Sequence, residues 1–447
     1  MTGMSGSTVG VGVIGCGTVG AALCQLVAEH GDTIAARSGI RLEIVRVAVS
    51  DVTRARPVAF AEGVLTDDAT ALVSDPEVDV VVELMGGMDP ARHLIRTALE
   101  AGKPVVTANK EVMANAGAEL VEAAAKSRVD LLYEAAVAGA IPLIRPLRES
   151  LAGDRLQRVM GIVNGTTNFI LTRMSESGQS FAEALAEAQS LGYAERDPTA
   201  DVEGIDAAAK AAIIASVAFG VQVVASDVYR EGITHVTGED IAMAARLGYV
   251  VKLLAVIEAV GESRPQPGTP NLRPPGPAEV AVRVHPAMVP VDHPLASVRD
   301  SFNAVFVEGA AAGELMFYGR GAGGRPTASA VLGDLVDAAV NLRQGTAAGP
   351  AGLARARIRP IDELTSQYYL TIDVVDRPGV LEKVAGATAR HGVSILKMEQ
   401  VGLGDEARLV LVTHMAAERD VQATIADLRG LDEVDRVGTL LRVIGSE

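Results

Sequence analysis

The chain of 447 residues contains no tryptophan, and aromatic residues of every kind make up only 3% of it. Its cores must therefore be filled by Ala, Val, Leu and Ile, which suits helices packed closely on sheets. Cysteine is almost absent: Cys16 and Cys24 are the only two, both in one short N-terminal segment. Two thiols build no disulfide framework, and no Cys/His cluster has the spacing of a zinc site. A reducing, cytoplasmic setting is expected. Positive charge is also lacking. A formal net charge of −16 argues against nucleic acid as a partner, because phosphate binding needs a basic face. No apolar run reaches the length of a bilayer span, and no basic segment precedes the first strand. Neither membrane insertion nor a signal peptide is expected.

What remains is a globular composition, 49% hydrophobic and 21% charged, with length for about three domains. Residues 9–107 alternate between strands (9–14, 42–49, 78–83, 104–107) and helical patterns (18–36, 90–101). The unbroken apolar run Val80-Val81-Val82 is what a strand covered on both faces shows. This alternation predicts an α/β first domain, a doubly wound, Rossmann-like parallel sheet over residues 1–145.

A second, α+β domain is expected over 146–345. It carries a strand at 157–163, a long Ala-rich helix at 202–219, and a last part, 319–345, that folds back on the first domain. Pro/Gly-rich stretches at 261–277 and 346–359 read as an exposed loop and a linker, the linker extending to 365. Residues 366–447 read as a separate unit. Strands at 368–375, 394–402, 408–414 and 434–443 and helices at 380–391 and 418–428 give the order βαββαβ, the ferredoxin-like arrangement, with Gly404-Asp405 as a hairpin turn.

Gly15-Cys16-Gly17-Thr18-Val19-Gly20 follows the first strand and opens a helix. Gly15 permits the tight turn, Gly17 lets a pyrophosphate approach the backbone, and Gly20 lets helix and strand pack closely. The amides of the helix N-terminus face the phosphates, so a dinucleotide is the expected ligand. The second strand ends near Asp51, followed by Arg54 and Arg56. An acid there suits the ribose 2′-hydroxyl of NAD and arginines suit the 2′-phosphate of NADP; the two cues conflict, with NADP favoured.

Thr107-Ala108-Asn109-Lys110 stands at the carboxyl end of a strand, where open α/β sheets bind ligands. Lys110 can meet cofactor or substrate there, or be an ordinary surface lysine. Asp206 and Lys210 share one face of the Ala-rich helix. Lys210 is the one charge between Ala207 and Phe219, so it either snorkels from a buried helix or points into a site. Upstream lies an acidic group, Glu195, Asp197, Asp201 and Glu203, which can hold a metal or an ammonium or simply solvate a loop. Asn164-Gly165-Thr166-Thr167-Asn168 supplies short polar side chains that serve equally as helix caps and as substrate donors.

Taken together, GVIGCGTVG, TANK, YEAAVAGAIP, NGTTNFIL, LGYAERDPTADVEGIDAAAK and GRGAGGRPTASAVLGDL, in that order along nearly the whole chain, resemble the homoserine dehydrogenase family. The C-terminal unit resembles an ACT domain, with Asp376-Arg377-Pro378-Gly379-Val380-Leu381 as its first strand-to-helix turn.

The resemblance implies reversible hydride transfer between L-aspartate 4-semialdehyde and L-homoserine, a step toward threonine, methionine and isoleucine. It gives residues 146–345 a catalytic and dimerising role. It makes Lys210 the acid/base, places Lys110 beside nicotinamide and substrate, and gives Asp206, Glu195, Gly192 and Asp201 to the substrate. Gly86 and Gly323 join Gly15, Cys16, Gly17, Thr18, Val19, Gly20, Asp51, Arg54 and Lys110 at the cofactor. Glu134, Val137, Gly139 and Ile141 match the family's site for a monovalent cation, sodium or potassium. The ACT unit implies feedback by an amino acid, L-threonine by expectation, in a homodimer or homotetramer. Removal of the chain after about residue 360 should then abolish that response. An aspartate-semialdehyde dehydrogenase is disfavoured, because both cysteines lie in the nucleotide-binding unit and none is left as nucleophile. A non-catalytic sensor of NAD(P) and an amino acid would need neither Lys210 nor the acidic group.

Overall fold

The computed structural model describes residues 7–261, 277, 279–347, 352–402 and 406–445. The first domain runs β1 (Ser7–Ile14), α1 (Thr18–Ser38), β2 (Ile40–Ala48), β3 (Leu65–Thr66), α2 (Ala69–Ser74), β4 (Val80–Glu83), α3 (Ala91–Glu100), β5 (Val105–Thr107), α4 (Lys110–Ser127) and β6 (Leu131–Leu132). Its strands form one parallel sheet in the order β3-β2-β1-β4-β5-β6. The order reverses between β1 and β4, and a crevice opens there beyond the carboxyl ends of the strands. Val80, Val81 and Val82 are fully buried, as strands covered on both faces require. The pattern did not announce the two-residue β3, the short α2 or the extent of α4. The two helices are held by caps, Asp68 accepting the Ala71 N–H and Asn109 the Val112 N–H, and β3 by pairing with β2.

The second domain continues with β7 (Leu156–Ile162), α5 (Gly165–Ser177), α6 (Phe181–Ser190), α7 (Thr199–Val202), α8 (Ile205–Phe219), β8 (Tyr229–Arg230), α9 (Gly238–Arg246), β9 (Tyr249–Val260), β10 (Glu279–Pro290), β11 (Phe302–Gly309), β12 (Gly313–Arg320) and α10 (Gly324–Gln344). The helix expected at 202–219 is interrupted. Gly204 takes φ +74° and separates α7 from α8, because a left-handed residue cannot continue a right-handed helix. Antiparallel strands β12-β11-β7-β9-β10 make the sheet. α10 turns back to the first domain, where Val331, Leu335 and Ala338 pack in one core with Val9, Val11 and Val13 of β1. The loop expected at 261–277 falls almost wholly outside the described residues.

The C-terminal part contains β13 (Arg357–Ile358), β14 (Thr365–Val375), α11 (Val380–Arg390), β15 (Ile395–Gly402), β16 (Glu406–Thr413), β17 (Ala416–Ala417), α12 (Glu418–Arg429) and β18 (Val434–Val443). It has its own core around Tyr368, Leu370, Ile372, Val384, Leu409 and Ile425. Its sheet order, β18-β14-β16-β15, is the ferredoxin-like one. The hairpin turn at Gly404-Asp405 lies outside the described residues.

This unit is not separate in the sense the sequence suggested. β18 runs parallel to β10, pairing Ala287 with Arg442 and Met288 with Val443, so one sheet crosses from the second domain into the C-terminal unit. Nor is the stretch before it a free linker. β13 adds to β10, the Ala354 N–H donates to the Gly220 carbonyl (2.9 Å), and Arg357 and Arg359 pair with Glu279. No helix among the described residues is long and apolar enough to cross a membrane.

Candidate active site

The glycine loop lies at the foot of a cleft of about 980 Å³ between the ends of β1 and β2, the loop after β4 and the start of α10. Each glycine has its own reason. Gly15 has φ +95°, and a Cβ there would lie 2.7 Å from the Leu84 carbonyl oxygen. A Cβ on Gly20 would lie 2.2 Å from the Gly15 carbonyl oxygen, whereas one on Gly17 would meet nothing within 4 Å. Two glycines are thus demanded by the protein, and the third keeps open the space a pyrophosphate would take. The α1 amides behind them complete an anion cradle. Cys16 and Thr18 line the cleft with Gly15 and Gly17, as do Ser50, Arg54, Arg56, Gly324 and Arg325. The Cys16 thiol is lowered to about 7, chiefly by its hydrogen bond with Cys24.

Asp51 is differently placed. Its carboxylate accepts from the Thr53 amide (2.8 Å) and hydroxyl (2.6 Å), folding into its own loop, while Arg54 and Arg56 line the cleft, Arg56 also donating to the Arg54 (2.7 Å) and Asp51 (2.5 Å) carbonyls. Gly86 (φ +75°) donates its N–H to buried Glu83. Glu83 was not singled out in the sequence, yet it accepts from the Met85 N–H (2.8 Å) and the Thr107 hydroxyl (2.6 Å), tying together the loops that follow β4 and β5. Its one signal is an acid ending an apolar strand.

Past those loops the two domains meet through three charged side chains. α8 is almost wholly apolar and buried, so Asp206 in its first turn is only 6% exposed. Lys210, one turn on, donates to Asp206 Oδ2 (2.7 Å) and to the Val163 carbonyl (2.7 Å). Lys110, the first residue of α4, crosses from the other domain to Asp206 Oδ1. Burial would raise the Asp206 carboxyl, but the Lys210 and Lys110 ammoniums outweigh it and hold the group well below the usual carboxylate range. Asn164 caps α5 through Oδ1 and uses Nδ2 to donate to Asp201 (2.7 Å) and Asp206 (2.9 Å). A lysine ammonium has three donors. Lys210 therefore retains one N–H, and Lys110 two, beyond the bonds named here.

The comparisons with known proteins agree along the chain. The family profile described as homoserine dehydrogenase, NAD binding domain, matches residues 15–134; that of homoserine dehydrogenase matches 142–336; that of the ACT domain matches 368–433. A homoserine dehydrogenase of Corynebacterium glutamicum is 49% identical over 98% of this chain and 96% of its own length. The chain belongs to the homoserine dehydrogenase family. A crystal structure of a homoserine dehydrogenase from Thiobacillus denitrificans is 39% identical, with a TM-score of 0.89 over 98% of each chain. A hyperthermophilic archaeal homoserine dehydrogenase in complex with NADPH is 28% identical, with a TM-score of 0.59 over 74% of this chain and 97% of that one.

The remaining residues drawn from the family resemblance sit less tightly. Asp201 joins Asp206 through Asn164, but Gly192 (φ +75°) and Glu195 lie on an exposed turn, where the Glu195 carbonyl accepts from Gln189 (3.0 Å). Gly323 (φ +131°) precedes α10 at the edge of the cleft. Glu134 spends its carboxylate on the N–H groups of Leu143 (2.5 Å), Ile144 (2.7 Å) and Arg145 (2.9 Å), capping a helical turn. Only main-chain oxygens of Glu134, Val137, Gly139 and Ile141 are then left for an ion. Among the described residues no group of three His, Cys, Asp or Glu is placed to hold a metal.

Proposed function

We propose that the chain catalyses the reversible NAD(P)H-dependent reduction of L-aspartate 4-semialdehyde to L-homoserine. The observation that carries this reading is the convergence of Lys210 and Lys110 on buried Asp206, beside a cleft shaped for a dinucleotide. Bound NAD(P)H supplies the hydride for the aldehyde carbon. As the carbonyl π pair moves onto oxygen, the spare N–H of Lys210 gives that oxygen its proton, and the neutral amine left behind regains one from water. In the reverse direction the same amine takes the hydroxyl proton. Asp206 aims both ammoniums, and Lys110 adds positive charge where the oxygen becomes an alkoxide. Asp201 and Glu195, with the Gly192 backbone, serve the substrate ammonium.

NADP is the preferred cofactor on this reading, because Arg54 and Arg56 line the cleft while the Asp51 carboxylate is engaged by Thr53. The NADPH in the archaeal relative is in keeping with it. A sodium or potassium ion at Glu134, Val137, Gly139 and Ile141 is a further part of the proposal, supported by carbonyl oxygens that suit a hard cation. Feedback by L-threonine acts through the C-terminal unit, in a cytoplasmic homodimer or homotetramer.

The decisive measurement is loss of NADPH absorbance with aspartate 4-semialdehyde, repeated with NADH, with L-threonine, and in Na⁺- or K⁺-free buffer. Saturable oxidation that is faster with NADPH is expected. Folded protein that oxidises neither cofactor would sink the assignment.

A further inference from the structure

We propose that Glu231, which lies outside the catalytic group, is a positioning residue through which the C-terminal unit sets the geometry of Asp206 and Lys210; the inference rests on the acid/base reading given above. Arg442 on β18 is only 1% exposed. Its guanidinium lies between two carboxylates: Nε donates to Glu418 of the same unit (2.9 Å), and Nη1 donates to Glu231 of the second domain (2.8 Å). The Tyr368 hydroxyl donates to Glu418 (2.9 Å), the Tyr229 hydroxyl donates to Glu231 (2.5 Å), and the guanidinium lies 5.5 Å from the centre of the Tyr229 ring. Arg442 and Glu418 are buried and Glu231 is partly so (22% exposed), and a buried charge is costly without its partners, so a shift on one side of this junction strains the other.

From Glu231 the path to the catalytic group is short and uses both backbone and side chains. The Ile233 N–H donates to the Val202 carbonyl (2.8 Å), and the Thr234 hydroxyl donates to Glu203 (3.1 Å). Between Glu231 and Ile233, Gly232 lies so close to α7 that a Cβ there would sit 2.3 Å from the Val202 oxygen. α7 carries Asp201, which holds the Asn164 amide, and that amide also donates to Asp206. The Gly204 turn then starts α8, with Asp206 in its first turn. A displacement of β18 is therefore delivered to Asp206 by two routes, through Asn164 and through the start of α8. Packed elements of this kind move between discrete arrangements and do not deform smoothly.

The test uses the full chain. Glu231→Gln removes the charge and keeps the side-chain length; Arg442→Lys keeps the charge and loses the fork. NADPH affinity, read by titration, reports the distant first domain and should stay within about twofold of the parent. Each variant should lower kcat by about fivefold or more, and the double variant should be no slower than the worse single one. Should one variant fail to bind NADPH, the other decides by the same criterion. Unchanged kcat in a variant that binds NADPH normally, or losses that multiply in the double variant, overturns the inference. A parent chain that does not reduce aspartate 4-semialdehyde overturns the acid/base reading first, and the inference with it, so the two failures are told apart.

Discussion

Asp206 shows how one buried carboxylate can arrange two cations. Both oxygens are engaged by lysines from different domains, and its depressed proton affinity keeps it ionised well below neutral pH. Lys210→Ala should lower kcat by about 10²–10⁴-fold and leave NADPH affinity near normal in a fluorescence titration, because the dinucleotide cleft is built by other residues. Turnover retained in that variant would remove Lys210 from the acid/base role.

Lys252 is a different kind of buried lysine. It is 2% exposed and donates to Asn168 Oδ1 (3.0 Å) and the Val298 carbonyl (2.5 Å), both neutral acceptors. Burial lowers it to about 8, so the folded chain binds fewer protons than the unfolded chain between about pH 8 and the ordinary lysine value of about 10.4. Stability attributable to Lys252 must rise with pH over that window. The melting temperature of the parent relative to Lys252→Met should therefore climb from about pH 7.5 toward about pH 10; a flat difference would show that the lysine does not titrate there.

At the scale of single elements, the β1 turn into α1 separates two uses of glycine. Gly20→Ala should weaken both the fold and NADPH binding, since its Cβ would strike the Gly15 carbonyl. Gly17→Ala should melt within about 1–2 °C of the parent, as substitutions without a steric conflict do, yet bind NADPH at least about tenfold more weakly. Equal affinity in that variant would mean the cofactor does not approach at Gly17.

This turn was legible in the sequence because its glycines answer to local geometry, and so were the strands β1, β2, β4 and β5, whose Val- and Ile-rich segments alternate with helical patterns. The break between α7 and α8 was less so. Residues 202–219 keep an apolar pattern through Gly204, and only its positive φ ends the helix. Lys210 could be placed beside Asp206 on one helix face, as it is found, but its bond to the Val163 carbonyl could not be foreseen. The Lys110–Asp206 pair spans 96 residues and depends on how the two domains meet, which no local periodicity encodes. Glu231 was missed for the same reason, its partner Arg442 lying 211 residues on, whereas Glu83 was missed because its partners are loop amides and one hydroxyl that no periodicity marks.

For the whole molecule, the joined sheet changes what a truncation means. Removal of the chain after about residue 360 takes away β18, baring part of the edge of β10 and leaving Glu231 without Arg442. Such a protein should lose thermal stability and associate through the bared edge, visible as a lower melting temperature and higher mass in light scattering. Loss of a threonine response in it would not by itself identify an effector site. A truncated chain as stable and monodisperse as the parent would contradict the role given to β18.

The same feature bears on how the protein is made. β18 follows every other described element in the chain, so it leaves the ribosome after them, while β10 has long since emerged. Until then the catalytic sheet has an unfinished border and α7 lacks its distant brace. On the inference drawn from Glu231, a chain still short of β18 should reduce aspartate 4-semialdehyde more slowly than the finished one, because Glu231 has yet to meet Arg442.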